Sequence, residues 1–378
     1  MRIRLIHSIH DLEPSRWDRV SADRTVYLGR PWLEWAELSD DYESRYLLAE
    51  EPDGTVVGAL PSYLWRGGSG VSMNQAYHPV DLLAVPRLGA EAEADRELWM
   101  PLLLLGSRAG YHGGVLVDSA LPGPRRARVI ARLLEAAAEL ATSLGASAMA
   151  MLYAPQAHAE ECLAALANHA PGVPAPSSAP LSAEAVIPVA TVGAERSARR
   201  RRQWQREARA FAASGGSVHR VRLSECYREA GPLLGQLQRK YGADDTDESM
   251  TAYLEQQAAY LDPWSEVIIE RRDGRLTGFV LCYAWGDTLH VRAAGFGPDA
   301  GSFAYFNLAV YEPLALAASL GLTWLDLGTG AYRGKLLRGA HLRTTHALVW
   351  PPAESSAAVR STLQLPGEDY LDAVSSAP

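Results

Sequence analysis

The spacing of apolar residues changes period several times along the chain, and each change marks an element. From Tyr46 to Trp65 apolar and polar positions alternate on either side of Asp53-Gly54. Alternation about an Asp-Gly pair predicts a β-hairpin, because glycine accepts the positive φ of a tight turn. The stretch Glu266 to Trp285 repeats the design about Asp273-Gly274. At one fixed offset Gly58, Tyr63 and Trp65 fall on Gly278, Tyr283 and Trp285. A shared Tyr-x-Trp beyond the turn predicts common architecture rather than shared turn chemistry alone.

A second echo follows each hairpin. Arg125 to Leu144 carries apolar residues at helical spacing, ends Ser143-Leu-Gly145, and runs into an apolar strand from Ala148 to Tyr153. Phe303 to Leu320 is again helix-like, with Pro313 as an irregularity. It ends Ser319-Leu-Gly321 and runs into a strand from Thr323 to Leu327. Glycine just past the last helical turn is a natural stop. The first half is longer between hairpin and helix, which extra loop material around Trp65 to Leu105 explains. Residues 170–180 are rich in Pro and Ala and read as a loop, 185–189 as a strand, and 195–209 as an arginine-rich helix. The expectation is an α/β (α+β) fold of two tandem domains, 1–190 and 191–352, each a mixed central sheet flanked by helices. The Ser, Ala and Pro of 353–378 predict a loose tail, with one helical turn near Tyr370.

Composition narrows the class. The 378 residues are 48% hydrophobic and 21% charged, with a formal net charge of -8. Such a chain builds ordinary cores and does not coat DNA, so any polyanion site must be local. No run of about 18 apolar residues suggests a transmembrane helix, and the first residues lack a signal-peptide pattern. Three scattered cysteines argue against a disulfide framework or a zinc site. A cytoplasmic protein with no metal is expected.

The order of elements, doubled and joined by a basic helix, resembles the Fem-type aminoacyl transferases of peptidoglycan synthesis within the GNAT superfamily, and the related peptidogalycan acyltransferase-like proteins. The resemblance covers roughly residues 32–350. It rests on Gly321 to Gly339, which looks like the family's strand followed by a Lys-x-x-Arg/Phe-Gly turn. It rests also on the basic stretch Arg199 to Arg209 and on Gly58-Ala-Leu-Pro-Ser-Tyr63. Both domains are then expected to be GNAT-like, with the arginine helix opening the second. Fem-type relatives join an amino acid, carried as a tRNA ester, to an amine. Other members use acyl-CoA.

Lys335 is the first catalytic candidate. It follows Gly328, Gly330 and Gly334 at the end of a strand, where open α/β sheets hold ligands. A cation there stabilises the oxyanion of acyl transfer, the role that the resemblance implies; the alternative is an ordinary solvated loop lysine. Asp326 would take a proton from the attacking amine, or else pair with an arginine or cap backbone amides. Tyr332 would hold or protonate a leaving group, or simply pack. Arg338 would anchor a phosphate or carboxylate, or lock the turn as a salt bridge. Arg199, Arg202, Arg206 and Arg209 share one helix face and suit a tRNA acceptor stem or a CoA phosphate, with Trp204 as a stacking platform or a core anchor. Arg292, Gly295 and Gly297 fit the acyl-CoA pyrophosphate pattern literally, although Arg292 reads as strand and further loop precedes the helix.

The expected activity is amide formation by attack of a small-molecule or peptide amine on an activated acyl carbonyl. Aminoacyl-tRNA is the preferred co-substrate and acyl-CoA the alternative, neither permanently bound. A non-catalytic binding protein retaining the fold is the third reading.

Overall fold

The structure, a computed structural model, describes residues 1–22, 25–67, 78–190 and 198–363. The described residues form two compact units, one of 1–22, 25–67, 78–182 and 344–363, the other of 183–190 and 198–343. The divisions expected at 190 and 352 thus fall at 182 and 343, and residues 344–350, expected in the second domain, pack in the first unit. Thirteen strands are present among the described residues: β1 Arg2–Ile6, β2 Tyr42–Glu50, β3 Val56–Trp65, β4 Leu102–Leu105, β5 Leu116–Val117, β6 Ala148–Pro155, β7 Ser177–Pro188, β8 Ser217–Val221, β9 Ser265–Arg272, β10 Arg275–Trp285, β11 Thr288–Phe296, β12 Trp324–Asp326 and β13 His341–Trp350.

In the first unit the neighbours run β1–β2–β3–β4–β6–β13, with β5 beside β3. All contacts along that path are antiparallel except β4 with β6, which is parallel. The β2–β3 hairpin turns at Gly54, whose φ is 85°. The helix Gly123–Leu144 packs on it at Gly58, where a Cβ would stand 2.5 Å from Val129 Cγ1. That close approach is why glycine sits inside a strand. The helix ends as expected, at Gly145 with φ 67° and an Ala146 N–H returning to the Ala141 carbonyl. The added material between β3 and β4 includes the helices Val85–Leu88 and Ala90–Asp95.

The second unit repeats the plan as β7–β12–β11–β10–β9–β8. Here β11 and β12 are the parallel pair and the others antiparallel. Asp273 and Gly274 both have positive φ at the β9–β10 turn, as a two-residue hairpin of primed type requires. The helical stretch after β11 runs Ala304–Phe306, a π-helical turn Asn307–Tyr311, and Glu312–Ser319. The expected irregularity at Pro313 is this wide turn: proline has no N–H to give the carbonyl four residues back. Two further helices, Leu223–Lys240 and Asp247–Leu261, complete the unit.

Three expectations are corrected. Residues 177–180, expected as loop, open β7, because small and apolar residues there bury against neighbours. The strand β13 was not foreseen. Part of the tail is ordered: Ser356 caps the helix Ala357–Thr362, and Val359 and Leu363 are buried. The turn expected near Tyr370 lies outside the described residues.

Candidate active site in the second unit

β11 and β12 run side by side for only three residues, Thr288 with Trp324, Leu289 with Leu325, and His290 with Asp326. Beyond that last pair the strands part. β11 continues to Phe296, while the other chain turns away through Gly328 and Gly330, both at positive φ. Just past the parting, β11 carries a bulge. Cys282 faces Val291 and Leu281 faces Ala293, so Arg292 is the extra residue. Bulges re-aim side chains and interrupt a ladder, and they recur beside active sites.

His290 and Asp326 meet at the point of divergence. Nδ1 of His290 lies 3.1 Å from Oδ2 of Asp326, and both residues are buried. The other carboxylate oxygen accepts the Gly328 N–H at 2.8 Å. Asp326 therefore orients an imidazole and anchors the following loop at once. A carboxylate on one imidazole nitrogen fixes the tautomer and supports a proton arriving at the other.

Lys335 is buried, on the short helix Tyr332–Leu337. Its Nζ donates to the carbonyls of Leu327, Thr329 and Gly328, at 2.8, 2.8 and 3.2 Å. An ammonium has three N–H donors, so all are spent on the loop leaving β12. The free cation expected from the glycines is not present; Lys335 is a strut that gathers carbonyls otherwise left without donors. Burial pulls its pKa down to about 8, with the Asp326 charge opposing.

Arg338 is likewise engaged inside the protein. Its guanidinium grips both oxygens of Glu207 at 2.8 Å and donates to the Tyr311 hydroxyl and the Gly334 carbonyl. The guanidinium carbon stands 3.0 Å from the centre of the Phe306 ring. Burial pushes the Glu207 carboxyl up, but hydrogen bonds from Tyr311, Gln203 and Arg338 outweigh it and hold the carboxyl below its ordinary range. This buried pair ties the helix Ala198–Ala213 to the helix that bears Lys335, and leaves Arg338 no fork for a phosphate. Tyr332 donates its hydroxyl to the Ala183 carbonyl at 2.8 Å, bracing β7. Trp204 stacks on Tyr311 at 4.8 Å between ring centres, as a core anchor.

The arginine helix has two faces. Gln203, Trp204, Glu207 and Phe211 turn inward, while Arg202, Arg206 and Arg209 are exposed. Among the described residues none of these three forms an ion pair. The side chain of Arg199 lies outside the description.

The residues of the pyrophosphate pattern do not form a phosphate loop. Arg292 and Gly295 lie within β11. Arg292 donates to the Tyr253 hydroxyl at 2.8 Å, within a buried network that continues through Gln257 to Tyr283. A Cβ on Gly295 would stand 2.7 Å from the Phe279 ring and 2.8 Å from Leu233, and Gly297 also faces Leu233. These glycines admit the helix Leu223–Lys240. Ahead of the next helix, the Gly301 N–H donates to the buried carboxylate of Glu270 at 3.1 Å.

Sequence reasoning missed His290. The available signal was a polar residue two positions before Arg292 in an apolar strand. Its partner lies 36 residues on, and only the parallel register brings the two together.

Residues 198–336 match the family model described as an acetyltransferase (GNAT) domain. No curated protein matches the chain in sequence. Among solved structures the chain is similar to FemX, at 12% identity and a TM-score of 0.60, over 91% of this chain and 96% of that one. It is similar also to the C-terminal domain of a protein named as a lysylphosphatidylglycerol synthetase from Agrobacterium fabrum, at 13% identity and a TM-score of 0.53, covering 93% and 98%. A tandem GNAT protein from the clavulanic acid biosynthesis pathway aligns at 13% identity and a TM-score of 0.50, covering 93% and 100%. Residues 198–336 are thus similar to a GNAT acetyltransferase domain, and the chain shares the fold of these tandem, Fem-like structures. Among the described residues no helix is long and apolar enough to cross a membrane.

Proposed function

We propose that the second unit joins an acceptor amine to an acyl group carried by a tRNA, with His290 as the proton acceptor. The observation that carries this reading is the His290–Asp326 pair, set where β11 and β12 separate. The amine nitrogen attacks the acyl carbonyl and the new C–N bond forms. The amine proton passes to His290, whose imidazolium the Asp326 carboxylate stabilises. The ester C–O bond then breaks, and the departing ribose oxygen recovers a proton from the imidazolium. Lys335 acts by position: its three hydrogen bonds hold residues 327–329 in the shape that lines the parting strands.

Two features support tRNA over acyl-CoA as donor. Arg202, Arg206 and Arg209 offer exposed charge to a phosphate backbone, inside a chain of net negative charge. The Gly301 amide, ahead of the helix that follows β11, is already taken by a carboxylate of the protein itself. The acceptor is a small-molecule or peptide amine.

The test combines purified protein with charged tRNA or acetyl-CoA and a panel of amines, read by mass spectrometry. Amide formed from charged tRNA, and abolished by His290→Ala, is the expected result. Undiminished product from acetyl-CoA alone would replace the donor. No product from either, with His290→Ala binding ligands like the parent, would leave a binding protein.

A further inference from the structure

The sheet face of the second unit that carries His290 and Asp326 bears an aromatic row one step further along. Thr288 pairs with Trp285 on one side and with Trp324 on the other. Directly paired residues point the same way, so two indoles flank one threonine. Ala284, Leu289 and Leu325 alternate to the other face and join the core there. Trp285, Thr288 and Trp324 are each half-buried. The helix Asp247–Leu261 covers the face beside them, where Gln257 accepts the Tyr283 hydroxyl, and it ends short of the row.

Both indoles are braced from their outer flanks. Trp264, just ahead of β9, lies against Trp285 with ring centres 5.5 Å apart. The Arg343 guanidinium carbon arrives across β7 and stands 4.0 Å from the centre of the Trp324 ring. Thr288 between them keeps its access to solvent. Its hydroxyl is spent on Asp287 Oδ1 at 2.8 Å, which leaves a methyl group as the floor. Neighbouring strands stand about 4.8 Å apart, and aromatic rings pair at about 4.5–7 Å between centres. A ring above Thr288 is therefore within stacking reach of both walls. Arg343 is exposed and forms no ion pair among the described residues. Stacked on Trp324, it offers the N–H edge of its guanidinium to an anion. Asp287 carries negative charge at the turn before β11, so an anionic group is drawn away from it and toward Arg343.

We propose that this slot seats the acceptor, and that the acceptor is an amine carrying an aromatic ring and a carboxylate. The ring stacks above Thr288 between Trp285 and Trp324. The carboxylate takes the guanidinium of Arg343. The amine reaches the next row, where His290 stands. The two rows are two residues apart, about 6.6 Å along the strand, a span that a short chain between ring and amine bridges. The inference rests on the proposed function only in placing the amine at His290. Occupancy of the slot itself is read by binding, with no acyl donor present.

The experiment titrates the full chain with L-phenylalanine by calorimetry. Phenethylamine lacks the carboxylate, cyclohexylalanine the aromatic character and alanine the ring. Phenylalanine is expected to bind about tenfold tighter than phenethylamine and about fivefold tighter than cyclohexylalanine, with alanine silent. Thr288→Phe fills the slot and is expected to abolish binding. Arg343→Gln, at an exposed position, is expected to bring phenylalanine and phenethylamine to equal affinity, and it decides should Thr288→Phe fail to fold. Phenylalanine that does not bind, that binds no better than cyclohexylalanine, or that binds Arg343→Gln as tightly as the parent would overturn the proposal. Amide formed from other amines, with phenylalanine neither bound nor acylated, would overturn the slot and leave the His290 chemistry standing. Phenylalanine bound as expected but acylated from neither donor would uphold the slot and count against that chemistry.

Discussion

The two units are one scaffold furnished differently. In each, a hairpin leads to a strand that begins a short parallel pairing. Tyr63 faces Leu104 and Trp65 faces Leu102 in the first unit; Tyr283 faces His290 and Trp285 faces Thr288 in the second. Across the parallel contact, Leu104 meets Ala150 in one and His290 meets Asp326 in the other. Glu50 and Glu270 share the sequence offset and are both fully buried, each held by arginine, but they differ in register: Glu270 faces Gly278, whereas Glu50 faces Val56 and Ala49 faces Gly58. The scaffold is thus common through the Tyr-x-Trp strand and its parallel neighbour, and the pair in the parallel strands distinguishes the units. Apolar side chains there only pack, whereas an imidazole and a carboxylate can move a proton.

The comparison is sharpened most by attacking that pair. His290→Ala or Asp326→Asn is expected to lower kcat about 10²–10⁴-fold, the usual worth of a placed acid–base group. Circular dichroism should remain that of the parent. The mirror substitution Leu104→Ala should leave the residual chemistry of the second unit intact and cost about 2–5 kcal/mol by urea denaturation. If Leu104→Ala lowered kcat as deeply as His290→Ala, the division of labour would fail.

Next in size is the buried salt bridge. Arg338→Met leaves Glu207 without its main partner and should cost about 3–5 kcal/mol, read by the same denaturation. Lys335 gives a smaller effect that depends on pH. Its folded pKa near 8 lies below the ordinary 10.5, so between those values the unfolded chain holds a proton the folded one has released. Unfolding free energy, relative to Lys335→Met, should therefore rise with pH across that window, by at most about 1.4 kcal/mol per unit. A fall would overturn the burial argument. Smallest of all, replacing Arg202, Arg206 and Arg209 together by alanine should change stability by about 0.5 kcal/mol or less, because they are exposed and unpaired. It should flatten the salt dependence of tRNA binding by a slope of roughly 2–3.

Local patterns carried much of this structure into view. The Asp-Gly turns, helix stops at Gly145 and Gly321, and the fixed offset of Gly58, Tyr63 and Trp65 are short-range features, and they suffice for the repeat. Asp326, Lys335 and Arg338 were likewise visible as polar residues in an apolar, glycine-rich setting. Their roles were not. Whether a lysine faces a reacting carbonyl or three backbone carbonyls depends on where the chain folds back, and neither composition nor spacing encodes that. The hairpin offset also breaks after Trp65, because residues 66–101 stand where Gly286 and Asp287 suffice in the second unit. The equivalence of Leu104 with His290 therefore cannot be counted along the chain.

By itself the sequence determined the elements and their doubling, because strand alternation, helical spacing and turn glycines act between residues a few positions apart. The tertiary structure alone decided which charges were spent and which were left to act. Sheet register brought His290 to Asp326, and burial turned Lys335 and Arg338 into internal fastenings. Each outcome follows from the cost of enclosing a polar group, which is fixed by the neighbours that folding supplies.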